Sequence, residues 1–189
     1  MEHEIEVEHP HTNPTNRRIG ILIAVMAAAL AFSEMAARNA DTDVVRDTVE
    51  ASDTWAFYQA KTIRAAMLRA DERALQVQSM GRTDNATEVA TTLHDWEAEA
   101  KHEDSDPKEQ DGRKELMAKA QGIEKHRDER ASAKESYEYA SGALELGILL
   151  ASSAIVTGFT ALAFIGGGFG VIGVVAGLLG MFAPHILGG

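Results

Sequence analysis

The chain has 189 residues, and its 29 acidic and 18 basic side chains give a formal net charge of −11. This acidic balance argues against nucleic acid as a partner, because binding to phosphate requires a basic surface. The sequence contains no cysteine, which excludes a disulfide-stapled fold and a metal site built from thiolates.

Residues 1–18 alternate acidic and apolar side chains and then bring several histidines, prolines and asparagines together. This composition predicts a polar, disordered tail, because it offers too little apolar surface to bury. Glu6 and His9 could bind a metal ion weakly. Nothing in the sequence holds these two side chains in place, so a solvated tail is the simpler prediction.

Residues 19–37 form a predicted transmembrane helix that follows Arg17 and Arg18. The segment is rich in alanine and continues into strong helix formers without a turn signal, which distinguishes it from a secretory signal peptide. Glu34 lies near its end, and a carboxylate in lipid is costly. Arg38 lies four residues later on the same helix face, so we expect the two side chains to form an ion pair near the lipid headgroups.

Residues 38–142 are rich in alanine, glutamate, lysine and arginine, which favours helices outside the bilayer. The first break is expected at Gly81, followed by a helix over about 85–102, a loop over 102–112 and a last helix from about Lys114. The last helix can return beside the first one. The prediction is therefore a long antiparallel helical stalk, similar to a coiled coil.

The first stalk helix carries a narrow apolar stripe whose members are three, four or seven residues apart, as on one face of a helix. Its members are Val45, Val49, Ala56, Ile63, Ala66, Ala70 and Val77. Such a stripe is wide enough for a coiled coil and too narrow for the core of a globular domain.

A cluster of aromatic side chains lies in the middle of this helix, in a chain with few aromatic residues. Trp55 and Tyr58 share one helix face, whereas Phe57 and Lys61 lie on another. We expect the cluster to pack against the returning helix. The alternative is a contact between subunits or with another protein, in which Gln59 and Lys61 supply directional hydrogen bonds.

The stretch ASDTWAFYQAK, residues 51–61, resembles the signature of an uncharacterised bacterial membrane-protein family, the domain of unknown function 4337. The order of segments is similar too, with an N-terminal span, a polar helical middle and two closing spans. The resemblance covers the chain from about Arg17 onward. It implies no activity, so it assigns no catalytic residue.

The C-terminal region, residues 143–189, is a predicted transmembrane hairpin. It contains no Asp, Glu, Lys or Arg from Leu146 onward, and it is long enough for two crossings of roughly 20 residues each. The arms are expected over 146–165 and 169–187, joined by a turn at Gly166–Gly168. With the first span, the prediction is an all-α membrane protein with three transmembrane helices.

Small residues recur on both arms at steps of three and four, which places them along one narrow helix face. They are Gly147, Ala151, Ala154, Gly158 and Ala161 on the first arm, and Gly170, Gly173, Gly177 and Gly180 on the second. Such faces let helices approach closely in lipid. They could close the hairpin alone, or also pack copies of the protein together as a glycine zipper.

Three hydroxyl side chains on the first arm, Ser153, Thr157 and Thr160, form a second stripe. We expect them to bond to backbone carbonyls. The alternative is that they line a path for ions or water.

The sequence has no motif for nucleotide binding, for a serine nucleophile or for a zinc helix. Glu99 and His102 have the Glu-x-x-His spacing of di-iron bundles, but such sites need a second copy and further carboxylates that face inward, whereas solvated charges surround these two residues. We therefore expect no catalytic residue, no metal, no cofactor and no enzymatic activity.

Two functions from different classes remain. The first is a non-enzymatic membrane scaffold or accessory subunit, assembling through the small-residue faces and the stalk as a homo-oligomer or within a larger membrane complex. The second is an ion or small-solute conduit formed by an oligomer, with Glu34 and Glu145 as an acid pair at one membrane face. The lipid bilayer is a partner in both.

The expected location is the bacterial inner membrane, crossed several times. Arg17 and Arg18 favour a cytoplasmic N-terminus, which would place the stalk outside the cell. Other basic residues near the stalk-side ends of the spans favour a cytoplasmic stalk, namely Arg38, Arg46, Lys125, Arg127, Arg130 and Lys134. We favour the cytoplasmic stalk, although this charge rule is weak for long loops.

Overall fold

The structure is a computed structural model that describes residues 14–82 and 84–187. These residues form four α-helices and no strand: α1 (Pro14–Ser79), α2 (Ala86–Asp104), α3 (Arg113–Thr157) and α4 (Ala161–Phe182). A short 3-10 helix, Pro184–Ile186, follows α4. The predicted all-α class is confirmed. Residues 1–13 of the predicted tail, which include Glu6 and His9, lie outside the described residues.

Helix α1 begins earlier than predicted, because residues 14–18 belong to it and not to the polar tail. Pro14 is its first residue, a position where the fixed φ of proline suits a helix and its missing N–H costs no hydrogen bond. The helix ends at Ser79, beside the break predicted at Gly81, which has a φ of 79°.

The turn between the two C-terminal helices does not lie at Gly166–Gly168, so that prediction was wrong. Helix α3 ends at Thr157, and Gly158 leaves it with a φ of 74° while its N–H donates to the carbonyl of Ala154 at 3.0 Å. Glycine tolerates this left-handed conformation, which ends helices. Gly166 and its neighbours lie inside α4, where the missing side chain permits close helix packing instead of a turn.

The described residues separate into two compact units. Unit 1 contains the residues up to Thr42 and those from Glu129 onward, and unit 2 contains Asp43–Asp128. Helices α1 and α3 each contribute to both units, α2 belongs to unit 2, and α4 belongs to unit 1.

Unit 1 is held together by a cluster of buried apolar side chains from α1 and α3, namely Ile19, Met26, Leu144, Ala151 and Ala154. Helix α4 packs on this cluster through small residues, because its buried positions are four glycines and Ala176, and Gly166 is one of them. Its large apolar side chains, such as Phe164 and Phe182, are exposed. This arrangement is suited to lipid, where bulky apolar side chains can face the surroundings.

Three of the described helices are long and apolar enough to cross a membrane, judged by length and composition: α1, α3 and α4. The predicted number of candidate spans is therefore confirmed. Helix α4 is 22 residues long, which is close to the length needed for one crossing.

The buried side chains of unit 2 are small, polar or charged, apart from Leu116. Its buried residues include Asp47, Ala51, Thr54, Ala65 and Ala120. The predicted apolar stripe of α1 does not take part, because all seven members are exposed. Helix α1 packs within unit 2 through its other side, where charged groups find partners on α2, α3 and the loop between them.

We expect Gly166→Ala to lower the free energy of unfolding of unit 1 by about 1–3 kcal/mol, the usual cost of overpacking. A methyl group at Gly166 would lie 2.6 Å from the carbonyl oxygen of Gly147 and 3.0 Å from the amide nitrogen of Ala151. Both are backbone atoms, so the helices would have to separate. Thermal unfolding in detergent measures the change.

Gly168→Ala is the matched control, because a methyl group there meets nothing within 4 Å. It should leave stability unchanged or raise it slightly, since alanine favours a helix over glycine. Equal stability of the two variants would contradict the packing described here.

Candidate functional site

The small residues of α3 and α4 face each other inside unit 1. A methyl group on Gly147 would lie 2.8 Å from the carbonyl oxygen of Gly166, and one on Gly170 would lie 2.6 Å from Met26 Sδ of α1. The backbones of α3 and α4 are thus in contact at the first position, and α1 reaches α4 at the second. Ala151 and Ala154 are buried in the same cluster.

The same packing continues toward the end of α4. A methyl group on Gly173 would meet Leu144 at 2.6 Å, one on Gly177 would lie 3.5 Å from Ser33 Oγ, and one on Gly180 would meet Ser136 at 3.0 Å. Of the nine predicted small residues, Gly158 and Ala161 are exposed at the turn. The other seven are at least partly covered within the chain.

The hydroxyl stripe bonds to its own helix at two positions. Ser153 Oγ donates to the carbonyl of Leu149 at 2.8 Å, and Thr157 Oγ1 donates to the carbonyl of Ser153 at 2.7 Å. Thr160 is exposed beside the turn. The expected backbone bonding of Ser153 and Thr157 is therefore confirmed.

The predicted ion pair of Glu34 with Arg38 is confirmed, with 3.3 Å between Glu34 Oε2 and Arg38 Nη2. Glu145 is exposed. The carboxylate of Glu34 is thus engaged with a cation on its own helix.

In unit 2, the aromatic cluster is divided between two sides of α1. Trp55 Nε1 donates to Glu124 Oε1 of α3 at 3.0 Å, and the Trp55 and Tyr58 rings meet edge to face with centroids 5.4 Å apart. The guanidinium of Arg113 lies 5.6 Å from the centre of the Tyr58 ring, close enough for a cation–π contact. Phe57 and Gln59 are exposed on the other side.

Lys61, the fifth predicted residue of the cluster, joins three segments of unit 2. Its Nζ lies 3.1 Å from Asp111 Oδ2 and 3.2 Å from Glu103 Oε2. Arg64 contacts the other oxygen of Glu103 at 3.1 Å. Burial by itself would lower the pKa of Lys61, but the hydrogen bonds and charges of Asp111 and Glu103 outweigh it and raise this pKa above its usual value.

Sequence reasoning missed a group of potential ligands where α2 ends. One ligand atom each from His102, Asp106 and Asp111 lies within 4.8 Å of the other two. Asp106 accepts hydrogen bonds at Oδ1 from the N–H groups of Lys108 and Glu109, both at 3.1 Å. The hydrogen bond from the Glu109 N–H lowers the pKa of Asp106 most. Burial opposes this effect and the bond from the Lys108 N–H adds to it, so the pKa of Asp106 lies below its usual value. The four-residue spacing of His102 and Asp106 was a signal that could have indicated the group.

A buried carboxylate, Asp47, joins α1 to α3 within unit 2. Its Oδ2 lies 2.5 Å from His126 Nδ1, and Arg46 Nη2 lies 3.3 Å from Oδ1. The hydrogen bond with His126 lowers the pKa of Asp47 most; burial opposes this effect, and Arg46 adds to it.

We expect Trp55→Phe to destabilise unit 2 by about 1 kcal/mol, because the ring remains while the hydrogen bond to the Glu124 carboxylate is lost. Trp96→Phe is the matched control, since no hydrogen bond is described for the indole N–H of Trp96 in residues 14–82 and 84–187. Chemical unfolding of both variants measures the difference, and an equal loss in both would contradict the role given to Trp55.

Acid should weaken unit 2. Because the pKa of Asp47 is lower in the folded chain than in the unfolded one, its stabilising contribution is complete above about pH 4, the usual aspartate value. The contribution is lost as the pH falls through the folded pKa. Thermal unfolding of Asp47→Asn should therefore lose less stability below pH 4 than the unchanged protein does.

Asp53→Asn is the control for this titration, since Asp53 is exposed on the same helix. Its acid profile should follow that of the unchanged protein. If Asp47→Asn follows it as well, Asp47 does not carry the acid sensitivity.

Comparison with known proteins gives one family. The model of a domain of unknown function, DUF4337, matches residues 15–183. No curated protein and no solved structure matches the chain. The family match includes the signature at residues 51–61 and extends through all four helices, so the resemblance noted in the sequence is confirmed. The chain belongs to the DUF4337 family.

Proposed function

We propose that this protein is a non-enzymatic scaffold of the bacterial inner membrane that joins with copies of itself through unit 2. Three membrane-crossing helices would anchor the chain, and unit 2 would lie outside the bilayer. The three candidate spans support the anchor. The ion pairs that hold unit 2 together support an aqueous setting for it, because such pairs are costly in lipid.

The observation that carries the proposal is a continuous apolar surface on the free side of α1, which we call the exposed stripe. It consists of Ala56, Ala60, Ile63, Met67, Ala70, Ala74 and Val77. Ile63 is 56% exposed, Met67 62% and Val77 67%. Apolar patches of this kind mark interaction sites in soluble regions.

The spacing of the exposed stripe fits a second helix. Its members follow one another at alternating steps of four and three residues, the heptad spacing of coiled coils. The charged side of α1 is already used inside unit 2, where Lys61 and Arg64 pair with Glu103. An amphipathic helix usually buries its apolar face and exposes its charges, so the reversed arrangement here leaves the apolar face for a partner.

A second copy of this chain fits the exposed stripe. Copies that enter one bilayer in the same direction present α1 in parallel, so each stripe residue can lie opposite itself. In such a parallel pair, the flanking residues that face each other are Gln59 with Arg64, Ala66 with Asp71, and Arg73 with Gln78. None of these pairs brings like charges together, and the stripe itself carries no charge.

An antiparallel arrangement of α1 and α3 within unit 2 is part of the proposal. Asp47 pairs with His126, whereas Tyr58, which lies further along α1, contacts Arg113 at the start of α3. Residues later in α1 thus meet residues earlier in α3. In unit 1, the small-residue faces would serve mainly to close the three spans, since most of them are covered by the chain's own helices.

On sequence grounds, we place unit 2 on the cytoplasmic side of the membrane. The conduit remains an alternative, but no contact of the described residues favours it over the scaffold. Ser153 and Thr157 bond to their own helix, and Glu34 is paired with Arg38.

The absence of cysteine from the chain makes a crosslinking test direct. We expect Ala60→Cys to give a disulfide-linked dimer when native membranes are oxidised mildly, because the two copies of an in-register pair bring these positions within the reach of a disulfide. Met67→Cys and Ala74→Cys should behave in the same way. Asp95→Cys, exposed on α2 and away from the stripe, is the matched control and should remain a monomer.

Mixing Ala60→Cys with Ala70→Cys chains tests the direction of pairing. If mixed dimers form in preference to the Ala60→Cys dimer, the two copies of α1 pair in antiparallel orientation and the parallel arrangement is wrong. If every stripe position stays monomeric in membranes and the protein has the mass of a monomer in mild detergent, the scaffold proposal fails.

A further inference from the structure

We infer that His102, Asp106 and Asp111, where α2 gives way to the loop before α3, bind one divalent transition-metal ion such as Zn²⁺. This site is independent of the scaffold proposal, because it lies within one chain and none of its residues belongs to the exposed stripe.

The three ligand atoms are close to the arrangement that one ion requires. Each lies within 4.8 Å of the other two, whereas nitrogen and oxygen ligands lie about 2.0–2.2 Å from zinc. Each atom would move inward by roughly 1 Å or less to reach those distances. The side chains of His102 and Asp111 are both more than half exposed, so they can make this movement.

Asp106 is the residue that points to a cation. Its side chain is only 9% exposed, and Oδ2 has no hydrogen-bond partner among the described residues. His102 Nδ1 lies 3.4 Å from that oxygen. This distance suits an ion pair when the ring is protonated, but no hydrogen bond joins the two atoms. A buried carboxylate oxygen without a partner is costly, and a metal ion between it and the neutral imidazole would remove that cost.

The loop holds Asp106 in position before any ion binds. Oδ1 is fixed by the N–H groups of Lys108 and Glu109, and Oδ2 lies beside His102. Glu115 of α3 accepts hydrogen bonds from Ser105 Oγ at 2.7 Å and from the Asp106 N–H at 3.2 Å. Gly112 allows this contact, because a methyl group there would meet the Asp106 amide nitrogen at 2.3 Å.

Lys61 competes with the ion for Asp111. Its Nζ lies 3.1 Å from Asp111 Oδ2 and keeps a second carboxylate partner in Glu103. When a metal binds, Asp111 would exchange the ammonium group for the ion while Lys61 stays with Glu103. Lys61 therefore lowers the affinity of the site. Arg64 is also paired with Glu103.

The donor set decides the class of metal. One imidazole nitrogen and two carboxylate oxygens, without sulfur, suit Zn²⁺, Co²⁺ or Mn²⁺ better than soft ions such as Cu⁺. Exposed side chains at two of the three positions leave room for water molecules to complete the coordination.

The test is titration of the full chain in detergent with ZnCl₂, measured by calorimetry and by competition with a chromophoric chelator. We expect the affinity to fall by about tenfold or more in Asp106→Asn and in His102→Ala, and to rise in Lys61→Met. Zn²⁺ should also raise the unfolding temperature of the unchanged protein but not of the two weakened variants.

Asp95→Asn is the matched control, because Asp95 lies 3.7 Å from His94 in an exposed pair on α2 that no loop holds in place. It should bind Zn²⁺ as the unchanged protein does. Histidines in residues 1–13 contribute equally to every variant, so the differences between variants carry the result. Equal affinity in the unchanged protein and in His102→Ala, a variant whose exposed side chain leaves folding intact, overturns the inference.

Discussion

The contact between Gly147 of α3 and Gly166 of α4 is the constraint on which unit 1 depends. At this point neither helix has a side chain, so the backbones themselves touch, and a methyl group on either glycine would collide with the carbonyl oxygen of the other. Further along, Gly170 makes room for Met26 and Gly173 for Leu144. Lipid provides little hydrophobic drive for helices to associate, so close van der Waals contact has to supply the attraction. Membrane insertion of α4, which its length and composition allow, would explain why this helix buries glycines and exposes its large apolar side chains.

Unit 2 is held together by polar contacts instead of by close contact between helix backbones. It buries few of its large apolar side chains, and hydrogen bonds and ion pairs from α1 to its neighbours hold the helices together. Lys61 is an example, because its ammonium group contacts one carboxylate on α2 and another on the loop. The consequence is that the apolar side of α1 remains outside. The scaffold proposal rests on this uncovered apolar side, whereas the proposed metal site rests on a separate feature, the carboxylates that lie close together where α2 ends.

Sequence reasoning succeeded where local chemistry decides the outcome. The break at Gly81, the ion pair of Glu34 with Arg38 and the number of candidate spans follow from residue type and spacing alone. It failed where a local signal has two meanings. Three consecutive glycines indicate a turn as readily as a helix contact, and the difference depends on whether another backbone lies beside them. The apolar stripe of α1 was similarly assigned to a helix pair without any means of knowing which side the chain itself would cover.

The amino-acid sequence by itself determined the helical class, the three apolar segments and the family, because these depend on composition, periodicity and a short signature. Only the tertiary structure decided that Gly158 makes the turn, that the small-residue faces meet within the chain, and that His102, Asp106 and Asp111 come together. Each of these depends on the neighbours of a residue that are distant in the chain. A helical period tells which residues share a face, whereas packing between helices decides what that face touches.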